Sequence, residues 1–455
     1  MTLCMGGTSS TLMVTEDGDM SVFGVNMCGE LGLGHVSSVY NPTLLDKHAF
    51  GGDDVVMASA ASFYSACVTS TGTLYMWGIG ATVTIPSARQ NIPTQVFAHT
   101  PVLMVACGWD FTMLLTRTKH IWTCGSAQHG QLGHMDRVYR SEFTQIDHEL
   151  FGNGATVTMI AVGYWYSMAL THAEGADTLW TWGKNRHGEL GHGDDTNDRL
   201  VPVAIPADTF DGVPVVSMHG GLQHTLVVTA DGSLWGSGDD SRGALSLHAH
   251  YTPADGDANV YTMQKVVGPD FADGHGVLTA ANGQAVSIVL AKNNTVWVCG
   301  SGTHIFGTGT APDCTRSLTL IDPVVFSNKK IIVVAAGSYR CGVVTEDGDV
   351  WLWNGSSGLM FAPVLHARIG RWHNLLRDHA LAFAMMAVPR LDSTASGAAR
   401  DFPADLLEWM FNNMHFQPHP DTPHALQNLM GRRPVRSVAA LDLEAPEVLD
   451  EEHEE

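Results

Sequence analysis

One unit recurs seven times along the chain, and a repeat of this length restricts the fold more than any other feature. Each copy reads as an apolar strand, a small residue, three variable residues, a second apolar strand, a turn, an aromatic-rich strand and a closing glycine. The second half is clearest from Thr15 to Gly24, from Thr69 to Gly78 and from Thr345 to Asn354. The closing position falls at Gly24, Gly78, Gly125, Gly183, Gly238, Gly300 and Asn354, and the opening position at Gly7, Ala61, Gly108, Gly163, Gly221, Gly283 and Gly337. Opening and closing stand 17 residues apart in six copies and 20 in the fourth, whereas successive closing positions are 47 to 62 apart. Constant spacing inside the unit with variable spacing between units describes a fixed hairpin joined by loops. The expected fold is all-β: a seven-bladed β-propeller.

The hairpin chemistry is legible. Asp17-Gly18, Asp231-Gly232 and Asp347-Gly348 are tight-turn dipeptides in which glycine supplies a positive φ. Three residues before the closing position stands an aromatic in six copies: Tyr75, Trp122, Trp180, Trp235, Trp297 and Trp351. One residue before it stands Phe23, Trp77, Trp182 or Trp353, or else Cys124 or Cys299. A spacing of two places both on one strand face. The stripe is read as core between neighbouring blades, with a ligand-stacking platform as the rival.

After the closing glycine comes a second signature. It runs from Gly24 to Gly32 with Asn26, Gly29, Glu30 and Leu31, from Gly125 to Gly133, and from Gly183 to Gly191 with Asn185, Gly188, Glu189 and Leu190. A weaker copy runs from Gly238 to Ser246, and the second, sixth and seventh units lack it. With its small-residue strand, Thr-x-x-Gly turn, Trp-Gly and Asn-x-x-Gly-x-Leu-Gly, the unit resembles the repeat of the regulator of chromosome condensation family over roughly residues 1–366. The Trp-Asp repeat propeller is the nearest rival, but its closing Trp-Asp is absent. Kelch repeats need Gly-Gly doublets in phase, and Gly6-Gly7, Gly51-Gly52 and Gly220-Gly221 are not. The family often has a histidine three residues after the opening glycine. Here those positions hold Ser10, Tyr64, Phe111, Tyr166, His224, Val286 and Arg340, so one of seven fits. The family's founding member is a nucleotide-exchange factor anchored to chromatin by a basic tail. No such tail precedes the first repeat here, so the resemblance implies a propeller and a protein partner, a small GTPase among them, more than it implies chromatin.

The formal net charge is −22, which disfavours direct nucleic-acid binding through a general electrostatic footprint. Eight scattered cysteines form no C-x-x-C pair, and buried thiols in a reducing compartment are expected. The amino terminus lacks a secretory signal, and the apolar run from Ala380 to Val388 is too short to span a bilayer. An intracellular, unsecreted monomer without membrane attachment is the expectation.

The unit boundaries fall near 1–54, 55–101, 102–157, 158–214, 215–274, 275–330 and 331–366. Residues 367–430 are expected to form a small helical extension, with helices over Arg371–Ala387 and Phe402–Phe411. The second carries a faint F-box-like Pro403-Ala404-Asp405-Leu406-Leu407. Residues 431–455 read as an acidic, disordered tail.

No phosphate loop, nucleophile elbow, zinc-protease motif or EF-hand loop is present. The pairs His129/His134 and His187/His192 recur with the Gly-x-Leu-Gly loops, which makes them turn residues in preference to metal ligands. No catalytic residue, metal site or cofactor is expected. Three functions remain in view: a non-catalytic interaction scaffold, a guanine-nucleotide exchange factor for a small GTPase, and a ubiquitin-transfer adaptor acting through the F-box-like helix. The longest insertion, from Leu245 to about Gly274, is read as one rim loop. It is either a tolerated surface insertion or part of the partner-binding face, with His250, Tyr251, Asp255, Asp257, Tyr261 and Phe271 as candidate contacts.

Overall fold

The computed structural model describes residues 2–6, 10–79, 90–247, 258–266, 276–301, 314–354 and 364–368, less positions 153, 174, 194, 195, 207 and 339. These all fall in the first of two units, Met1–Gly370. Both predicted C-terminal helices and the acidic tail lie outside the described residues.

The fold is a seven-bladed β-propeller. Each blade is a four-stranded antiparallel sheet whose strands are consecutive in sequence. The blades span residues 2–44, 55–97, 102–145, 156–204, 215–265, 277–321 and 331–368. The hairpin of the sequence unit is the second and third strands. In every blade the closing position pairs with the residue three after the opening one, as in Tyr64↔Gly78, His224↔Gly238 and Arg340↔Asn354. Blade one needs a shift. Its opening N–H is that of Gly6, which donates to Ser10 O, while Gly7 lies outside the described residues. The extra three residues of the fourth unit lengthen its hairpin, Tyr166–Ala173 with Ala176–Gly183. The closing glycine is required by space and backbone: Gly78 has φ 106°, and a Cβ there would lie 2.4 Å from Phe63 O.

The outermost strands were not expected. Val39–Leu44 and Arg140–Gln145 are mostly half-buried or exposed, so neither an apolar run nor clean alternation marks them. One of them, Asn259–Lys265, corrects the single-loop reading of residues 245–274: a strand divides that stretch between opposite ends of blade five.

The aromatic stripe is core. Trp77, Trp182 and Trp353 are fully buried, and the apolar clusters run from blade to blade. Short 3-10 turns between blades, Lys47–Phe50, His148–Phe151 and Pro323–Phe326, each begin after an aspartate cap (Asp46, Asp147, Asp322). Each drives one buried phenylalanine against the aromatic pair of a blade, as Phe151 meets Trp180 at 5.6 Å and Trp182 at 6.1 Å.

No blade combines strands from the two ends of the ring. The innermost strands Thr2–Met5 and Ile331–Ala336 pack side by side instead, and Leu3, Met5, Met13 and Phe23 meet Ala335, Val344, Val350 and Leu352 in an apolar seam. Among the described residues, closure therefore rests on side-chain burial, with no shared ladder.

Candidate protein-binding face

Antiparallel blades give the ring two unlike faces. One, the loop face, carries the turns from innermost to second strand and the Gly-x-Leu-Gly loops. The other, the hairpin face, carries the hairpin turns and the connectors between blades.

The Gly-x-Leu-Gly loops are staples. Asn26 Oδ1 accepts from Leu31 N at 2.9 Å and Asn185 Oδ1 from Leu190 N at 3.2 Å; Asp240 does the same for Leu245 N at 2.8 Å in the weaker copy. So folded, each loop offers a carbonyl to the next blade. Glu30 O accepts from Ser65 Oγ and Trp77 Nε1, both at 2.8 Å, and Gln131 O accepts from Ser167 Oγ at 2.8 Å and Trp182 Nε1 at 3.0 Å. The paired histidines belong to these loops. His134 and His192 each hydrogen-bond a threonine of their own blade, Thr123 and Thr181, at 2.9 Å. Among the described residues no group of three His, Cys, Asp or Glu side chains could hold a metal ion.

Among the described residues, those that follow the opening positions stand around the channel mouth. Tyr64 and Tyr166 replace the family histidine and tie neighbouring blades together: Tyr64 donates to Phe111 O at 2.5 Å and Tyr166 to His224 O at 2.6 Å. His224 reaches Ser287 Oγ at 3.0 Å, and burial lowers its pKa to about 4, so it is neutral.

The first and second residues of these turns do something else. Phe63, Trp109, Tyr164 and Trp165, from blades two, three and four, are half-buried and converge on the loop face. Trp109 stacks on Tyr164 with centroids 5.2 Å apart, meets Phe63 edge-on at 5.6 Å and lies 6.1 Å from Trp165. Lys184 Nζ sits 4.6 Å above the Trp165 ring. Beside them His129 and Arg137 both bond Asp198, at 3.0 and 2.9 Å. Lys184 also stands 3.9 Å from the buried Glu189, whose pKa burial raises to about 7. A half-exposed aromatic platform edged with charge is suited to gripping a protein surface.

Sequence reasoning missed this platform. Its signal was present, since an aromatic stands within two residues of the opening position in three successive units, beside the third residue where the family histidine is expected. Of the six candidate contacts, Tyr261 lies on the outermost strand of blade five, where Gly188 of the blade-four loop packs against its backbone. His250, Tyr251, Asp255, Asp257 and Phe271 lie outside the described residues. The cysteines among the described residues are free, and Cys67, Cys107, Cys124, Cys299 and Cys341 are buried. No helix among the described residues is long and apolar enough to cross a membrane.

Known proteins share both pattern and fold. The human E3 ubiquitin-protein ligase HERC2 is 27% identical over 352 residues, 77% of this chain but 6% of HERC2. The ultraviolet-B receptor UVR8 of Arabidopsis thaliana is 32% identical over 247 residues, covering 53% of each protein. The chain thus spans a small part of the first relative and about half of the other. Among solved structures, Prp20p of Saccharomyces cerevisiae superposes with a TM-score of 0.62 at 23% identity, over 74% of this chain and 80% of that one. Human WBSCR16 gives 0.64 at 19% identity, over 76% and 93%. The RCC1-like domain description matches residues 1–325. The chain belongs to the RCC1-like domain family.

Proposed function

We propose that the chain is a non-catalytic protein-interaction scaffold whose loop face is its binding surface. The carrying observation is the Phe63–Trp109–Tyr164–Trp165 platform. The blade cores are already filled by Trp77, Trp182 and their connectors, so these four rings are not needed there. Residues 248–257, which follow Leu247 in the chain and include His250, Tyr251, Asp255 and Asp257, lie outside the described residues and stay partner contacts proposed from sequence alone.

A small GTPase is the partner class to try first. Prp20p has been characterised for binding to Gsp1p and histones, and its fold is the one found here. Ligase activity does not come to this chain through HERC2, because the shared segment is 6% of that protein. The F-box-like segment at Pro403–Leu407 remains an adaptor proposal resting on sequence alone.

The test compares full-length protein with a Trp109→Ala/Trp165→Ala variant by quantitative cross-linking in the native cell, followed by nucleotide-exchange assays on any captured GTPase. Loss of specific partners from a variant that still melts as wild type supports the platform. Retention of every partner at unchanged yield sinks it. Faster nucleotide release would add the exchange reading.

A further inference from the structure

Six of the seven innermost strands carry the same irregularity at their hairpin-face end. The pairing ladder skips Val56, Leu103, Thr158, Val216, Leu278 and Ile332, one residue in each of blades two to seven. These are β-bulges, which leave a residue unpaired and re-aim its side chain. The residue before each one, Val55, Val102, Val157, Val215, Val277 or Ile331, is buried in the blade core. The bulged residue is not: Val56 is 52% exposed, Leu103 39%, Val216 45%, Leu278 54% and Ile332 37%. The innermost strands line the channel, so these side chains form a collar around its hairpin-face mouth.

A bulge needed only to bend the strand would accept any residue, as blade four shows with the exposed Thr158. The other five positions hold large apolar side chains in units whose loops and turns have diverged. Single exposed apolar residues are ordinary, but five at the same place in five of seven blades are not.

The chemistry around the collar describes what fits it. The cations of this face are largely paired internally. Lys47 lies between Asp19 (3.1 Å) and Asp54 (2.8 Å), Lys329 holds Asp347 and Asp349, Lys330 stands 4.0 Å from Glu346, and Lys265 stands 3.9 Å from Asp211. Asp17, Asp53, Asp147, Glu149 and Asp231 form no ion pair among the described residues, set against Arg117, Lys119 and Lys292. The surplus is negative. We propose that the collar is a second docking surface, opposite the aromatic platform, for a protein segment that enters the channel mouth with apolar side chains flanked by lysine or arginine.

The probe is a displayed library of random 16-residue peptides selected against the full-length chain. Peptides that combine an apolar cluster with basic flanks should be enriched. Their affinity should fall at least tenfold in Leu103→Ser/Leu278→Ser and weaken with added salt, while Thr158→Val, which adds a sixth apolar side chain to the collar, should strengthen it. Both positions are exposed, so the double variant should melt as wild type; should it not, Thr158→Val decides alone. Enrichment of acidic peptides, of none above background, or of peptides indifferent to both variants overturns the proposal. So does a wild-type dimer in sedimentation that the double variant breaks, which would assign the collar to a second copy of the chain.

Discussion

The hydroxyl of Tyr164 in blade four meets the hydroxyl of Ser338 in blade seven, 174 residues away, across the loop-face mouth of the channel. Trp109 lies parallel to the tyrosine ring within 25°, so one hydrogen bond from the far side of the ring fixes the centre of the aromatic platform. Tyr164→Phe keeps the stacked ring and removes the bond. It should cost about 0.5–1.5 kcal/mol in chemical denaturation. An unchanged midpoint would show that the contact across the mouth contributes nothing.

Trp182 is fully buried, packs on Phe151 and donates to Gln131 O of the neighbouring blade. Trp182→Ala leaves a cavity, removes one of the two hydrogen bonds to Gln131 O and should cost about 3–5 kcal/mol. Trp165→Ala, on the half-exposed platform, should cost much less. Comparing the two melting curves separates core from platform.

Gly232 has φ 88°, and a Cβ there would lie 2.9 Å from Gly276 Cα. Gly232→Ala therefore combines an unfavourable backbone conformation with a clash against another backbone, and a loss above about 1 kcal/mol is expected. Wild-type melting would disprove the turn geometry of blade five.

Glu189 supplies a pH dependence. Burial raises its pKa from 4.5 to about 7 in the folded protein, so folding favours its protonated form. Its stabilising contribution is complete below the unfolded pKa near 4.5 and is lost as pH rises through about 7. Gln131 occupies the matching place in blade three, where its Oε1 accepts from His129 N at 2.9 Å. Glu189→Gln should thus fold normally and flatten the fall in stability between pH 5 and 8. Melting curves at both ends check this; an equal slope in the variant would place the titrating group elsewhere.

What the sequence determined by itself was everything contained in one hairpin. Residues 17 positions apart carry their own turn glycine, their own pairing partners and a period-two aromatic stripe, so blade number, register and the burial of Trp77, Trp182 and Trp353 could all be read without a ring. The Asp-x-x-x-Phe connectors at Asp46–Phe50, Asp147–Phe151 and Asp322–Phe326 were equally local, and were overlooked. Tertiary structure decided the rest. The outermost strands are held by one pairing edge with little burial, so their residues carry no period. The apolar seam of Leu3 and Met5 against Ala335 and Leu352, the convergence of Phe63, Trp109 and Trp165, and the bar from Tyr164 to Ser338 join residues from separate units. Those contacts exist only because seven twisted sheets close into a circle. Ring closure is a long-range event of packing, for which no short stretch of sequence holds both halves of the contact.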